Sequence, residues 1–352
     1  VYGCCAQRHY NASVHITASA PTRLDLAGGT LDIWPLYLNH DNAQTINVAI
    51  SLRASCSITE RRDGSCVLKS EDTGRSIEAK EWADLQNTPD FLLAARALQF
   101  FHVKGINLTT RSDSPLGAGI AGSSALIVAL CAALNAWTGA KRTPEELLTI
   151  AMNLEAQVIK VPTGAQDYRP AFYGGISAIE LHVDGVKRIA LDVSPEELEH
   201  RIVLAYTGRS RQSGINNWEI VKRHIEGEKH IFEKFERIRD ITVAMRSALI
   251  EGHWSEVGHQ ISEEWECRKD LAPSVTTPEI DQLISAARNA GAIGSKVCGA
   301  GGGGCVLCFV VPDRKHEVEL ALQASGMELL DYQIDTVGLK LKKKNPDPKA
   351  TT

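Results

Sequence analysis

The 352 residues carry 38 Lys and Arg against 43 Asp and Glu, a net charge of −5, with 43% apolar, 23% charged and 6% aromatic residues. This composition excludes a disordered or fibrous chain, and the charge offers no basic surface for a polyanion, so nucleic acid is not an expected partner. No apolar run reaches the length of a bilayer span, so a membrane is not expected either.

At this length two domains sharing one cleft are expected. Residues 1–12, "VYGCCAQRHYNA", lack a charged start followed by an apolar stretch and read as a flexible extension rather than a leader. "SVHITASAP" and "RLDLAGGT" read as strands, the second ending in a glycine turn, and "AQTINVAISLRASCSITER" carries β-branched residues at strand spacing. "RDGS" is a turn into the strand "CVLKS", residues 89–103 form a helix, and "GINLTTRSD" is a strand that runs straight into "SPLGAGIAGSSALIVAL". Residues 125–137 make a helix apolar on nearly every side, which implies deep burial. Thr143 caps the next helix and Pro144 occupies its first turn. The strands "YGGISAIEL" and "KRIALDV" follow, then a long amphipathic helical region over 215–251 and a helix over 253–270. The end reads as helix, strand, glycine turn, strand, helix and strand, an order that suggests a ferredoxin-like α+β second domain. The expected domains are 13–190 and 191–342, with 343–352 as a frayed tail.

Nine cysteines, an odd number, make no disulfide framework in a chain this long and point to a reducing, cytoplasmic setting. Cys305 and Cys308 form a CxxC inside the apolar run "CVLCFVV", with no second ligand pair, and read as buried thiols. The histidines show no metal-ligand spacing.

The glycine-rich stretch at 114–130 lacks the Lys of a Walker loop and the G-x-S-x-G of a hydrolase elbow. Its remaining readings are a bare turn into a core helix, or an anion cradle in which backbone N–H groups and a helix N-terminus meet a polyphosphate. In the second, one of Ser123 and Ser124 caps the helix while the other faces a phosphate-bound Mg²⁺. Two further glycine segments favour the cradle. "PTRLDLAGGTLD" brings Arg23 and Asp32 to a tight turn, and "SKVCGAGGGGCVL" holds more glycines than a hairpin needs, which implies close approach of its backbone to something.

In this order the three motifs resemble those of the GHMP kinases, the family of galactokinase, homoserine kinase, mevalonate kinase and phosphomevalonate kinase. The resemblance implies an N-terminal ribosomal-protein-S5-like domain and a C-terminal ferredoxin-like domain with the active site between them, and ATP and Mg²⁺ as cosubstrate and cofactor. It places ATP on Pro115, Gly117, Ala118, Gly119, Ile120, Ala121, Gly122, Ser123 and Ser124, and the metal on Ser124 and Glu155. Asp167 is implied as the catalytic carboxylate, with Arg23 as the cation beside it that neutralises the transferring phosphoryl group. Pro162 and Gly164 break the chain between Glu155 and Asp167, so that both can turn into one cleft. The substrate set is Asp32, Gly28, Gly29, Thr30, Gly164, Asp167, Arg211, Gly301 and Gly302.

Arg23 in place of a lysine is the sugar-kinase pattern of the family. "LAGGTLD" lacks the Glu-His of galactokinases and, with "GAQDYRPAFYGG", is similar to the D-glycero-D-manno-heptose 7-phosphate kinases and the kinase part of L-fucokinase, which implies phosphorylation of an anomeric hydroxyl. It departs from their GGGTD in reading GGTLD, which leaves the turn at Asp32 open. The alternatives are a kinase of a non-sugar alcohol and a sugar-sensing regulator on the same fold.

Overall fold

The computed structural model describes residues 14–85, 88–209 and 214–344. Up to residue 190 the chain forms strands β1 (His15–Ala27), β2 (Gln44–Glu60), β3 (Cys66–Ser70), β4 (Ser76–Ala79), β5 (Ile106–Ser112), β6 (Ile176–His182) and β7 (Gly185–Ala190). Between β4 and β6 lie helices α1 (Leu92–Phe100), α2 (Gly122–Thr138), α3 (Pro144–Ile159) and α4 (Tyr168–Tyr173). The remainder begins with α5 (Pro195–Glu199), β8 (Ile202–Tyr206), α6 (Gly214–Ile225), α7 (Lys229–Glu251), α8 (Trp254–Lys269) and α9 (Pro278–Ala290). It ends with β9 (Ala292–Val297), β10 (Cys305–Val310), α10 (Lys315–Ala324), β11 (Glu328–Leu329) and β12 (Lys340–Lys344).

Two sheets result. The larger runs β12-β1-β2-β5-β3-β4, with β6 joined to β2 and β7 to β6, and is antiparallel except where β3 lies parallel to β5. The smaller, β11-β8-β10-β9, is antiparallel and has the strand order expected of a ferredoxin-like unit. The α+β architecture expected from the sequence is therefore present.

The all-round apolar pattern of α2 has its reason in packing: Ala125, Ile127, Val128, Leu130, Cys131 and Leu134 are buried in one core with residues of β1, β2, α1 and α3. Each such aliphatic side chain contributes about 1.5–3 kcal/mol when fully buried. Thr143 caps α3 as expected and forms a full capping box with Glu146. Cys308 is buried in β10, and burial pushes its thiol up to about 12. Among the described residues no helix is long and apolar enough to cross a membrane.

Three expectations change. The first two strands are one, β1, with a register shift at Pro21/Thr22, where a proline that cannot donate to the ladder is tolerated. The helical region 215–251 is two helices, separated around Gly227, whose φ of 77° no helix accommodates. The last described segment, residues 335–344, also does not stay with the second domain. Asp335 pairs its backbone with Ala49, Arg53 binds the Asp335 carboxylate, and β12 lies antiparallel to β1 from Ser19↔Lys340 to His15↔Lys344. A boundary at 342 and a frayed tail from 343 therefore misplace a strand that hydrogen bonds hold on the first sheet. This strand is also the sheet's edge, and it carries Lys340, Lys342, Lys343 and Lys344, the charge pattern that discourages edge-to-edge pairing.

Candidate active site

The loop between β5 and α2 has its backbone turned by left-handed residues at alternate positions, Gly117 (φ 70°), Gly119 (φ 79°) and Ala121 (φ 64°). Alternation of this kind gathers N–H groups on one side, forming a concave anion site. The carbonyls are taken up by the protein. Leu116 O accepts from the Tyr206 hydroxyl (3.2 Å), Ala118 O from Cys305 N (2.7 Å), Gly119 O from Arg23 Nη1 (3.0 Å) and Ile120 O from Arg23 N (3.0 Å). Among the described residues, the N–H groups of 119–124 meet no acceptor. They stand at the positive end of the 17-residue helix α2, a place suited to phosphate.

One detail of the serine pair is corrected. The cap position is Ala121, without a side-chain cap bond, and α2 already begins at Gly122, so neither serine caps it. Both hydroxyls sit inside the first turn and turn toward carboxylates. Ser124 Oγ donates to Asp167 Oδ2 (3.3 Å), and both serines are near enough to Glu155 to stabilise its carboxylate.

Asp167 precedes α4, yet its carboxylate makes no cap bond. It is held instead by Arg23 from β1, whose Nε (2.9 Å) and Nη2 (2.6 Å) both donate to Oδ1. Burial works to lower the Arg23 pKa, but Asp167 and Asp25 outweigh it and push it up, so the guanidinium stays charged. Glu155, on α3, is buried and accepts from the Tyr168 hydroxyl (2.8 Å). Burial raises its carboxyl and the neighbouring Asp167 adds to this, while the Ser124, Ser123 and Tyr168 bonds pull the other way. Lys160 ends α3 in a left-handed conformation, and the chain reverses through Pro162 and Gly164 to bring Asp167 back to the same place. The oxygens of Ser124 and Glu155 are hard donors of the kind Mg²⁺ takes when phosphate and water complete its shell.

The first motif forms the opposite wall. Asp32 is buried, and its Oδ2 accepts from Gln166 N (2.9 Å). Ile33 bridges to Gly164, and a β-carbon on Gly164 would overlap the Asp32 carboxyl group, 2.7 Å from even its more distant oxygen. Thr30 adopts φ 75°, so the turn keeps a left-handed residue although this sequence has threonine there. Arg268 Nη2 donates to its Oγ1 (3.2 Å). Gly28 and Gly29 lie in the same turn, with Arg268 and Asp25 close against Gly29.

Burial and the charge of Asp167 lift the Asp32 carboxyl to about 7, against the Gln166 N–H and Arg23, which lower it. A carboxyl that binds its proton more tightly in the fold than in the open chain, where it titrates near 3.8, stabilises the fold fully at low pH. That contribution disappears as pH rises through about 7. Asp32→Asn cannot ionise, so its Tm should gain on that of the wild type between about pH 4 and pH 8, by about ten degrees for ~4 kcal/mol at ~2–4 °C per kcal/mol. A constant offset across that window in thermal unfolding of the unliganded proteins would contradict this.

The third motif accounts for its glycines by protein packing. Gly302 N donates to Val275 O (2.7 Å), and a β-carbon on Gly301 would come within 2.8 Å of the Val275 side chain. Gly304, at φ 84°, lies against the phosphate loop, where a β-carbon would sit 2.6 Å from Ala118 O. Gly304→Ala should therefore displace the loop and weaken ATP binding about tenfold, ~1.4 kcal/mol, in calorimetric titration. Unchanged affinity would show that the two loops are independent. Arg211, expected in the substrate set, lies outside the described residues.

Sequence reasoning missed a buried charge cluster beneath these walls. Asp25, two residues from Arg23 on β1, binds Lys296 (3.2 Å), Arg268 (3.0 Å) and Gly299 N (3.0 Å). Lys296 in turn pairs with Glu264 (2.9 Å).

The chain matches the family model "GHMP kinases N terminal domain" over residues 90–175 and "GHMP kinases C terminal" over residues 245–326. The chain thus carries both the N-terminal and the C-terminal domain of the GHMP kinases. It is accordingly an ATP-dependent kinase. It is 29% identical over 339 residues to the D-glycero-alpha-D-manno-heptose 7-phosphate kinase of Campylobacter jejuni, covering 92% of this chain and 98% of that protein. It is 25% identical to the bifunctional fucokinase/GDP-fucose pyrophosphorylase of Arabidopsis thaliana, covering 85% of this chain and 30% of that one. Among solved structures, a D-glycero-D-manno-heptose 1-phosphate kinase from Bacteriodes thetaiotaomicron superposes with a TM-score of 0.74 at 24% identity, over 94% of this chain and 99% of that one, a likeness of fold.

Proposed function

We propose that this GHMP kinase transfers the γ-phosphate of ATP to the anomeric hydroxyl of a seven-carbon sugar phosphate. The observation that carries the reading is the Asp167 carboxylate held by Arg23 and Ser124 at the mouth of the phosphate loop, opposite the buried Asp32. The near full-length likeness to a heptose 7-phosphate kinase supports the choice of substrate.

Asp32 and the turn at 28–30 hold sugar hydroxyls, and Gly164 leaves them room. Asp167 accepts the proton of the attacking hydroxyl as its oxygen bonds to the γ-phosphorus and the bond to the ADP oxygen breaks. Arg23 keeps Asp167 oriented and spreads positive charge toward the transferred group. The N–H groups of 119–124 hold the outer phosphates. Ser124 and Glu155 would hold Mg²⁺, which supplies charge neutralisation of the phosphates when bound.

The test is an ATP-consumption screen over free sugars, sugar phosphates, uronic acids, mevalonate and homoserine, with the position of the new phosphate found by phosphorus NMR. Turnover of a heptose 7-phosphate to a 1,7-bisphosphate is expected. Turnover confined to mevalonate or homoserine would replace the sugar reading, and binding of sugars without any ADP release would replace it by a sensor.

A further inference from the structure

Asp25, Glu264 and Lys296 are entirely buried and the Arg268 side chain is 2% exposed, an unusual concentration of charge for one place in a core. The four come from three elements: Asp25 from β1 of the larger sheet, Glu264 and Arg268 from α8, and Lys296 from β9 of the smaller sheet. Lys296 Nζ lies 3.2 Å from Asp25 and 2.9 Å from Glu264, and Arg268 Nη1 lies 3.0 Å from Asp25 and 3.6 Å from Glu264. Two carboxylates thus face two cations and their charges cancel.

This balance matters because a third cation borders the set. Arg23 Nη1 is 3.7 Å from Asp25, while its Nε and Nη2 grip Asp167. The same guanidinium is within reach of two carboxylates, and only the one on the cleft side has been given a role in phosphoryl transfer. Burial works to raise the Asp25 carboxyl, but Lys296, Arg23 and Arg268, in that order, hold it well below its ordinary range, so Asp25 is an anion that already draws on Arg23. Gly299 N and Gly299 O are also clamped by this set, the first donating to Asp25 Oδ1 and the second accepting from Arg268 Nη2, which ties the third glycine motif to the same charges.

We infer that Lys296, with Arg268 and Glu264, is a positioning device for the transfer reaction: it neutralises Asp25 so that Arg23 stays on Asp167. The inference rests on Asp167 as the proton acceptor proposed above. Removing the Lys296 charge leaves the set, with Arg268 still paired to Asp25, one negative charge in excess, and Arg23, the nearest cation outside the set at 3.7 Å, turns to Asp25 and away from Asp167. Removing Lys296 and Glu264 together restores neutrality, with Asp25 and Arg268 as a simple pair. Neither residue lines the cleft, so the effect falls on the reaction step and not on substrate affinity.

The experiment compares Lys296→Met with the double variant Glu264→Gln/Lys296→Met in the full-length protein. Steady-state kinetics with ATP and the sugar found in the screen give one readout, and the Nε–H resonance of Arg23 in protein labelled at arginine, assigned by its loss in Arg23→Lys, gives another. Lys296→Met is expected to lose about tenfold or more in kcat with both KM values within about threefold of the wild type, and to shift the Arg23 resonance. The double variant is expected to recover kcat to within about threefold and to return the resonance. A single variant with wild-type kcat and an unmoved resonance overturns the inference, as does a double variant that falls below the single. Should Lys296→Met not fold, the double variant still decides: if it misfolds too, or folds with kcat more than about tenfold below the wild type, the inference fails. The resonance needs no substrate, so a wild type that transfers phosphate to no sugar removes the proposed function while leaving the Arg23 result to stand or fall alone.

Discussion

Asp167→Asn should lower kcat by about 10²–10⁴-fold, the range a positioned general base supplies. The amide keeps the size of the side chain but cannot take up a proton, and it offers one acceptor oxygen to the two Arg23 donors and Ser124. ATP affinity, which the proposed function assigns to the loop at 115–124, should stay within about threefold, so the loss would appear in kcat and not in nucleotide Kd. Single-turnover phosphoryl transfer beside a fluorescent-nucleotide titration checks both halves. A variant within about tenfold of the wild-type rate on its true substrate would exclude Asp167 as the base. A smaller loss of stability accompanies the change, because Arg23, 3% exposed, is left with a weaker partner. It should fall short of the ~3–5 kcal/mol of a fully buried broken pair, since the Asp167 side chain is 20% exposed.

The second large effect is expected at Gly164. An alanine there places a carbon where the Asp32 carboxyl now is, and that group cannot swing aside freely because Gln166 N holds it in a buried site. Either Asp32 leaves its position or the segment carrying Asp167 moves back. Both spoil the alignment of acceptor hydroxyl and base, for which a displacement of about 1 Å is worth ~10²-fold. Gly164→Ala should therefore lose about two orders of magnitude in kcat/KM for the sugar while binding ATP normally, since the atoms nearest the added β-carbon all belong to Asp32 and none to the loop at 115–124. A folded variant with an unaltered kcat/KM would show that the Asp32 wall is not where the acceptor sits.

The parts of this site that local sequence could reveal are those built from backbone. Glycines at 117 and 119 and the apolar run after Ser124 announce a turn into a buried helix, because a tight turn and an all-round apolar helix each demand particular residues. The reversal that joins Glu155 to Asp167 was legible from Pro162 and Gly164 for the same reason. The serine cap was misread because Ala121, not serine, takes the cap position, a left-handed conformation that alanine seldom adopts and nothing local foretells.

The charge cluster was hidden differently. Asp25 follows Arg23 at the two-residue spacing that places both on one face of β1, and Glu264 and Arg268 are one helical turn apart, so each pair was visible. That they meet, with Lys296 between them, depends on two sheets coming together. A lone lysine within the apolar strand "AIGSKV" was the one available sign. The return of the chain to the first sheet was equally invisible, because the lysine-rich end resembles a solvated tail until its hydrogen-bond partner is known.

That return has a consequence for biosynthesis. β1 leaves the ribosome long before β12, and at about 5–20 residues per second the interval between them is tens of seconds. Throughout it the outer side of β1 is unpaired, and the Arg23 and Asp25 that it carries have neither Arg268 nor Lys296 to meet. A nascent chain therefore passes through a long period with an open strand and uncompensated inward charges, which closes only when the lysines of β12 are made.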